Sequence, residues 1–184
     1  MKLLFIILTV LQSLLTVLEE KTLQADFTLS IAEPQSQAMT YAGDLTMHGK
    51  QFALNMLSIQ AAYDGQTLYM YDEDIEELSL SHPADEELIQ TNPFLYAQAL
   101  LPICQQAEGT FGDKTHITLT PNDQTNGIEK FVLRVFTSTL LPTSIEIYEN
   151  GGRITTLRLN GAQYTNERPS FTIEKEGAFI NDLR

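Results

Sequence analysis

The sequence predicts a mainly β fold with a small helical part: a meandering antiparallel sheet or barrel, interrupted once by helix. Two observations carry this. Runs in which apolar and polar residues alternate recur along most of the 184-residue chain, and a period of two marks strands with one buried face. Glycine-containing turn pairs stand between those runs, and such pairs tolerate the positive φ of tight hairpins, which join antiparallel neighbours.

The elements follow in order. Phe52, Leu54 and Met56 alternate with Ala53 and Asn55. Leu57 and Ile59 continue on the opposite parity, which points to a bulge or a bend. Leu68 and Met70 alternate with Tyr69 and Tyr71, and Ile117 and Leu119 sit between His116, Thr118 and Thr120. Phe131, Leu133 and Val135 alternate with Val132, Arg134 and Phe136, and Ile145 and Ile147 flank Glu146. Residues 153–159 and 171–173 are further strand candidates. The turn signals are Asp64-Gly65, Asn126-Gly127, Asn150-Gly151-Gly152 and Asn160-Gly161.

One stretch departs from alternation. Residues 84–90 read as a helical turn or two, with Asp85, Glu86 and Glu87 suited to a helix N-terminus. Asn92 then reads as an N-cap with Pro93 at the first helical position. Phe94, Leu95, Ala97, Leu100 and Leu101 follow, and Pro102 ends or kinks the helix. Adjacent Phe94-Leu95 and Leu100-Leu101 pairs do not fit a single buried stripe, so this helix covers a broad apolar surface, as a movable lid over a cavity mouth would.

Composition excludes several classes of function. Hydrophobic residues make up 43% and charged residues 19%, an ordinary globular balance. Net charge is −13, from 24 acids against 11 bases, so nucleic-acid binding is not expected, because phosphate contacts need Lys and Arg. No base lies between Lys50 and Lys114, where 11 acids fall. That region is expected to be strongly negative, either as a solubilising face or to steer a basic partner.

The motifs of common catalysis are missing: no G-x-S-x-G elbow, no G-x-G-x-x-G and no Gly-Lys-Ser/Thr phosphate loop. No enzyme activity and no cofactor are expected. His48, His82 and His116 lack partners at ligand spacing, and the run from Asp72 to Glu77 lacks the central glycine of a calcium loop, so no metal is expected. Cys104, the single cysteine, reads as a buried structural thiol.

Met1 and Lys2 precede an uncharged apolar run from Leu3 to Leu18. Its length falls short of the ~20 residues that span a bilayer, and a basic start before a short apolar core is the pattern of a secretory signal. No small-x-small triplet follows to mark cleavage. Residues 1–18 are therefore a signal peptide or an N-terminal apolar segment, with an uncleaved anchor as an alternative. A third reading makes the second half the first helix of the domain, since Leu11, Leu14, Leu15 and Leu18 share a helical face. Residues 19–184 are expected to form a single domain.

Several separated pieces, in order, resemble one family. They are Leu23-Gln24-Ala25-Asp26-Phe27, Gly43-Asp44-Leu45, the stretch from Tyr63 through Asp64-Gly65 and Leu68-Tyr69 to Asp72, Asn92-Pro93-Phe94, Phe171-Thr172-Ile173 and the ending from Ile180 to Arg184. Together they look like the LolA-type periplasmic carriers of outer-membrane lipoproteins. The resemblance covers about residues 23 to 184. It implies an incomplete, half-open antiparallel β-barrel whose apolar concave face is covered by a helical lid. It also implies acylated lipoproteins as cargo, an ATP-driven inner-membrane extractor for loading, an outer-membrane acceptor for unloading, and a periplasmic location. A monomer is expected. The family often places a lid-closing arginine shortly after the Gly-Asp-Leu strand; Gly49-Lys50 stands there instead, so that latch does not carry over.

On this reading the acyl-chain cavity is lined by Phe52, Leu54, Met56, Leu68, Met70, Phe131, Leu133 and Val135, taken from the alternation, and the lid presents Phe94, Leu95, Leu100 and Leu101. A membrane-anchored module of the same fold, sensing lipid or lipoprotein, is the competing reading.

Overall fold

A computed structural model describes residues 9–123 and 127–184, with only the backbone of Gln90. The start of the apolar segment, residues 1–8, and Asn126 of the Asn126-Gly127 turn lie outside the described residues.

Among the described residues the first element is helix α1 (Val10–Glu20). It is followed by β1 (Thr22–Ala32), β2 (Met39–His48), β3 (Gln51–Met56), β4 (Ile59–Tyr63), β5 (Leu68–Asp72) and β6 (Glu77–Ser81). Helices α2 (Asp85–Thr91) and α3 (Pro93–Leu100) and a 3-10 turn at Leu101–Ile103 come next. The chain finishes with β7 (Cys104–Phe111), β8 (Lys114–Pro121), β9 (Ile128–Phe136), β10 (Pro142–Glu149), β11 (Ile154–Thr165) and β12 (Phe179–Asp182).

All twelve strands form one sheet in the order β12-β6-β5-β4-β3-β2-β1-β11-β10-β9-β8-β7. Two meanders, β1 to β6 and β7 to β11, are joined along a seam where β1 pairs with β11. Every pairing is antiparallel except that of β12 with β6. The edges β7 and β12 do not pair with each other, so the sheet curves without closing, and the half-open form expected from the sequence is the one observed.

Helix α1 straddles the boundary that the sequence suggested at residue 18. Thr9 and Gln12 form a capping box at its start, and the Glu108 carboxylate on β7 accepts a hydrogen bond from the Val10 amide at 2.9 Å. Leu11, Leu14 and Leu18 face the sheet and are buried, while Leu15 is half-buried. The second half of the apolar run thus packs as a helix against the sheet.

Three local expectations are resolved. The parity switch after Met56 is the bend of the two alternatives, a two-residue hairpin: Met56 pairs with Ile59, and Leu57 takes a φ of 55°. Asn160-Gly161 is the reverse case. It lies inside β11, where the register steps from Asp26–Asn160 to Gln24–Gln163, so Gly161, at a φ of 60°, sits in a bulge. Glycine supplies the left-handed residue that such a bulge uses. Residues 171–173 pair with no strand. They belong to a strap, residues 166–178, in which Phe171 is buried and the Lys175 ammonium sits 4.7 Å from the centre of the Tyr71 ring. Proline at 169 removes an amide donor there, which suits an unpaired strap better than a strand.

Opposite the concave face, Arg134 on β9 grips Glu146 on β10 with two hydrogen bonds, at 2.5 and 3.1 Å, and the Tyr148 hydroxyl donates to the same carboxylate at 2.7 Å. The Arg134 hydrogen bond is the main cause that holds the Glu146 carboxyl below its usual pKa. A carboxylate depressed on folding stabilises above its unfolded pKa, about 4.3, and that contribution fades as pH falls through the lower folded value. For a partly exposed forked pair the contribution is about 1 kcal/mol. Thermal unfolding between pH 7 and pH 3 is expected to show a smaller loss in Glu146→Gln than in the wild type. Parallel curves would mean that the pair contributes nothing.

Candidate functional site: an apolar cavity under two helices

Residues directly opposite one another on paired strands share a face of the sheet. One row on the concave face runs Ala25, Leu45, Leu54, Ala61, Met70 across β1 to β5. A second runs Leu29, Leu157, Ile145, Leu133, Ile117 from β1 to β8. A third joins Phe27, Gly43, Met56 and Ile59. Two bodies pack on this surface. α1 covers one end, and the α2–α3 pair crosses the middle.

The helical pair is capped as the sequence suggested. Ala84 precedes α2, and the Glu87 side chain returns to accept from the Ala84 amide. Asn92 ends α2 and starts α3, its side-chain oxygen accepting from the amides of Phe94 and Leu95. The backbone bonds from Asn92 to Leu88 and from Tyr96 to Asn92 run through the junction, so the two helices form one bent unit.

Between this unit and the sheet lies a cavity of about 240 Å³. The sheet contributes Phe27, Leu29, Leu45, Leu54, Met56, Ile145, Ile147, Leu157 and Thr155, and the helices contribute Ile89, Thr91, Pro93 and Tyr96. The wall is almost wholly apolar. Burial is the main cause that raises the Tyr96 hydroxyl above its usual pKa, so it stays neutral. A wall of this kind offers no charge or nucleophile, and suits hydrocarbon.

Of the eight residues expected to line the cavity, Leu54 and Met56 do so. Phe52 and Leu68 are core instead, in the row nearest α1 with Met47 and Tyr63. Phe131, Leu133 and Val135 are 0% exposed, because β8–β9 is packed tightly; the Tyr96 ring meets Phe131 edge-on at 6.1 Å. Met70 keeps the predicted face but lies beyond the helical cover and is 44% exposed. In the lid, Phe94 and Leu100 are buried anchors, and Leu95 and Leu101 are partly buried against the core. The lid face over the cavity carries Pro93 and Tyr96 instead, three residues apart and so on one side of the helix.

The alternation that finds Leu54 also marks Phe27 and Leu29, which flank Thr28, and Ile145 and Ile147 belong to a strand that the sequence predicts. What the pattern lacks is depth. It assigns a face, but not which part of that face the helices fill.

The other candidate groups are dispersed. Nδ1 of His48 contacts the Thr22 hydroxyl, His82 contacts the Gln66 carbonyl, and His116 stacks on Phe111. Burial raises the Cys104 thiol, which keeps it protonated. Carboxylates of the Asp72–Glu77 run accept from Ser58, Gln60, Ser79 and Asn181. Lys50 borders a shallow groove beside α2, with Asp85 and Leu88.

The family model for the outer membrane lipoprotein carrier protein LolA matches residues 18–173. The chain belongs to the LolA family. LolA-family proteins are periplasmic, and the family supports a lipoprotein-binding, carrier-type function. No curated protein matches the chain in sequence. Among solved structures, an uncharacterized conserved protein from Thermus thermophilus has a similar fold, with a TM-score of 0.62 at 12% identity, over 93% of this chain and 98% of that one. The Pseudomonas aeruginosa MucA/MucB complex contains another, with a TM-score of 0.54 at 14% identity, over 88% of this chain. There the match spans 57% of the other chain. These likenesses concern the fold. The LolA fold in this chain is the open sheet with its two-helix cover.

No helix among the described residues is long and apolar enough to cross a membrane.

Proposed function

We propose that the protein is a non-enzymatic periplasmic carrier that takes the acyl chains of lipoproteins into the cavity beneath α2–α3 and shuttles them toward the outer membrane. Loading by an ATP-driven extractor in the inner membrane and release to an outer-membrane acceptor complete the cycle. The observation that carries this reading is the cavity itself: almost wholly apolar, and roofed by helices whose backbone hydrogen bonds run within the helical pair.

Exposing an acyl chain to water costs about 0.8 kcal/mol per CH₂, so aqueous transit needs such a shelter. At about 240 Å³ the cavity is smaller than typical ligand pockets, which run about 300–1,000 Å³. The cover must therefore move to admit a lipid anchor. Side-chain packing alone holds a cover less firmly than a strand ladder, so its opening is expected to need less free energy than global unfolding.

Hydrogen exchange with and without a diacylated peptide tests this. Amides of α2–α3 are expected to exchange faster than those of β8–β9 in the empty protein and to change protection on loading. Protection equal to β8–β9 in both states would overturn the opening cover.

A further inference from the structure

The concave face continues past the helical cover. Leu54, in the cavity wall, pairs with Ala61, and Ala61 pairs with the exposed Met70. In the next row Met56 pairs with Ile59, Ile59 with Asp72, Asp72 with Glu77 and Glu77 with Phe179. Phe179, on the edge strand β12, is 68% exposed. The result is an open shelf over β4, β5, β6 and β12, continuous with the cavity, where apolar residues flank a pair of carboxylates. Exposed apolar surface of this kind marks an interaction site.

We propose that this shelf receives the polypeptide of the cargo where it leaves its lipid anchor, and that it favours a segment carrying Lys or Arg. The proposal rests on the acyl-cavity reading above and adds the recognition of the attached chain. Two facts select the occupant. The first is continuity: a lipid held between Leu54 and Met56 has its covalently linked peptide at the cavity's edge, and the shelf is the surface the sheet offers there. The second is charge. Asp72 and Glu77 stand in the row between Ile59 and Phe179. Asp72 accepts from the Asp74 amide, and Glu77 from Ser79 and Asn181, all neutral donors. Laying a hydrocarbon chain over them would strip water from two carboxylates without giving them a cation, whereas a basic, partly apolar peptide satisfies both kinds of group. Two cations of this half are engaged on the other parity of the strands: Lys175 lies over Tyr71, and Arg184 pairs with Asp182.

The test compares three ligands on the full chain: a diacylated peptide with a run of lysines after the acylated cysteine, the same lipopeptide with glutamates, and palmitate. At low salt the lysine form is expected to bind about tenfold more tightly than the glutamate form, and the gap should narrow at high salt. In Asp72→Asn/Glu77→Gln the gap should fall below about twofold. Phe179→Ser is expected to weaken both lipopeptides and leave palmitate unchanged. Met70→Ser, which leaves β12 untouched, should do the same. Equal binding of the two lipopeptides by the wild type would overturn the proposal. So would loss of palmitate binding in Phe179→Ser and Met70→Ser, which would make the shelf an acyl groove. A wild-type dimer that these variants break into monomers would assign the shelf to a second copy. If palmitate and both lipopeptides fail to bind, the cavity reading itself falls, and the shelf with it.

Discussion

Leu54→Glu is expected to lower the affinity for palmitate by about a hundredfold or more while leaving the β-sheet signal in circular dichroism unchanged. Leu54 is half-buried in the cavity wall, so a longer polar side chain there can reach solvent when the protein is empty. An acyl chain in the cavity would remove that water, and an unpaired carboxylate resists it strongly. The contrasting change is Leu133→Glu. Leu133 is 0% exposed, between Ile117 and Ile145 on the neighbouring strands. A carboxylate there has no route to water in the folded state, and the penalty approaches the whole stability of an ordinary domain, about 5–15 kcal/mol. Leu133→Glu is expected to unfold. Retained palmitate binding in a folded Leu54→Glu variant would remove the cavity from the mechanism.

The second large effect is expected at Gly43. A Cβ added there would overlap the Asn55 carbonyl oxygen and fall 2.5 Å from the Phe27 ring. The carbonyl belongs to the β2–β3 ladder and cannot swing away, and Phe27 is both core and cavity wall. Gly43→Ala is expected to destabilise by about 3 kcal/mol, which for a chain of this length lowers Tm by roughly 10 °C. It should also weaken acyl binding, because any relief pushes Phe27 into the cavity. An unchanged Tm would mean that strand β3 yields at Asn55 with little strain. This close approach gives the Gly-Asp-Leu piece of the sequence a physical reason: the glycine lets an aromatic side chain of the next strand lie flat across the backbone.

The strands were legible wherever a single face is buried. β3, β5, β8, β9 and β10 emerged from alternation, and Asn92-Pro93 placed the start of α3 where it is found. β7 was not seen. It is a sheet edge, exposed on both faces except near its start, so its sequence, from Cys104 to Phe111, lacks a buried parity. β6 is short and follows the acidic turn, where Leu78 and Leu80 bury themselves on the opposite side from Met70, a pattern that an isolated pair of leucines does not resolve. The cavity was half legible. Parity identified the concave face, but the division of that face into filled core and open cavity depends on where α1 and α3 rest. The hydrophobic face of α1 was visible as Leu11, Leu14 and Leu18, yet an apolar segment at a chain start reads equally as an export signal.

The seam between β1 and β11 has a consequence for how the protein comes to be folded. Every other antiparallel pairing joins strands that follow one another along the chain, so each meander assembles from local hairpins. The seam brings Asp26 to Asn160 and waits for almost the whole chain to be present. Loop closure over that separation is slow compared with a hairpin turn. Until the seam forms, each half-sheet has an apolar face without its final cover, and α1, which packs near β1, β2 and β8, has no complete seat. The seam ladder therefore both joins the halves and hides the sticky surfaces. Refolding is expected to show a slow, concentration-sensitive phase that lengthens with substitutions at Phe27 or Leu159, a directly paired couple within the seam.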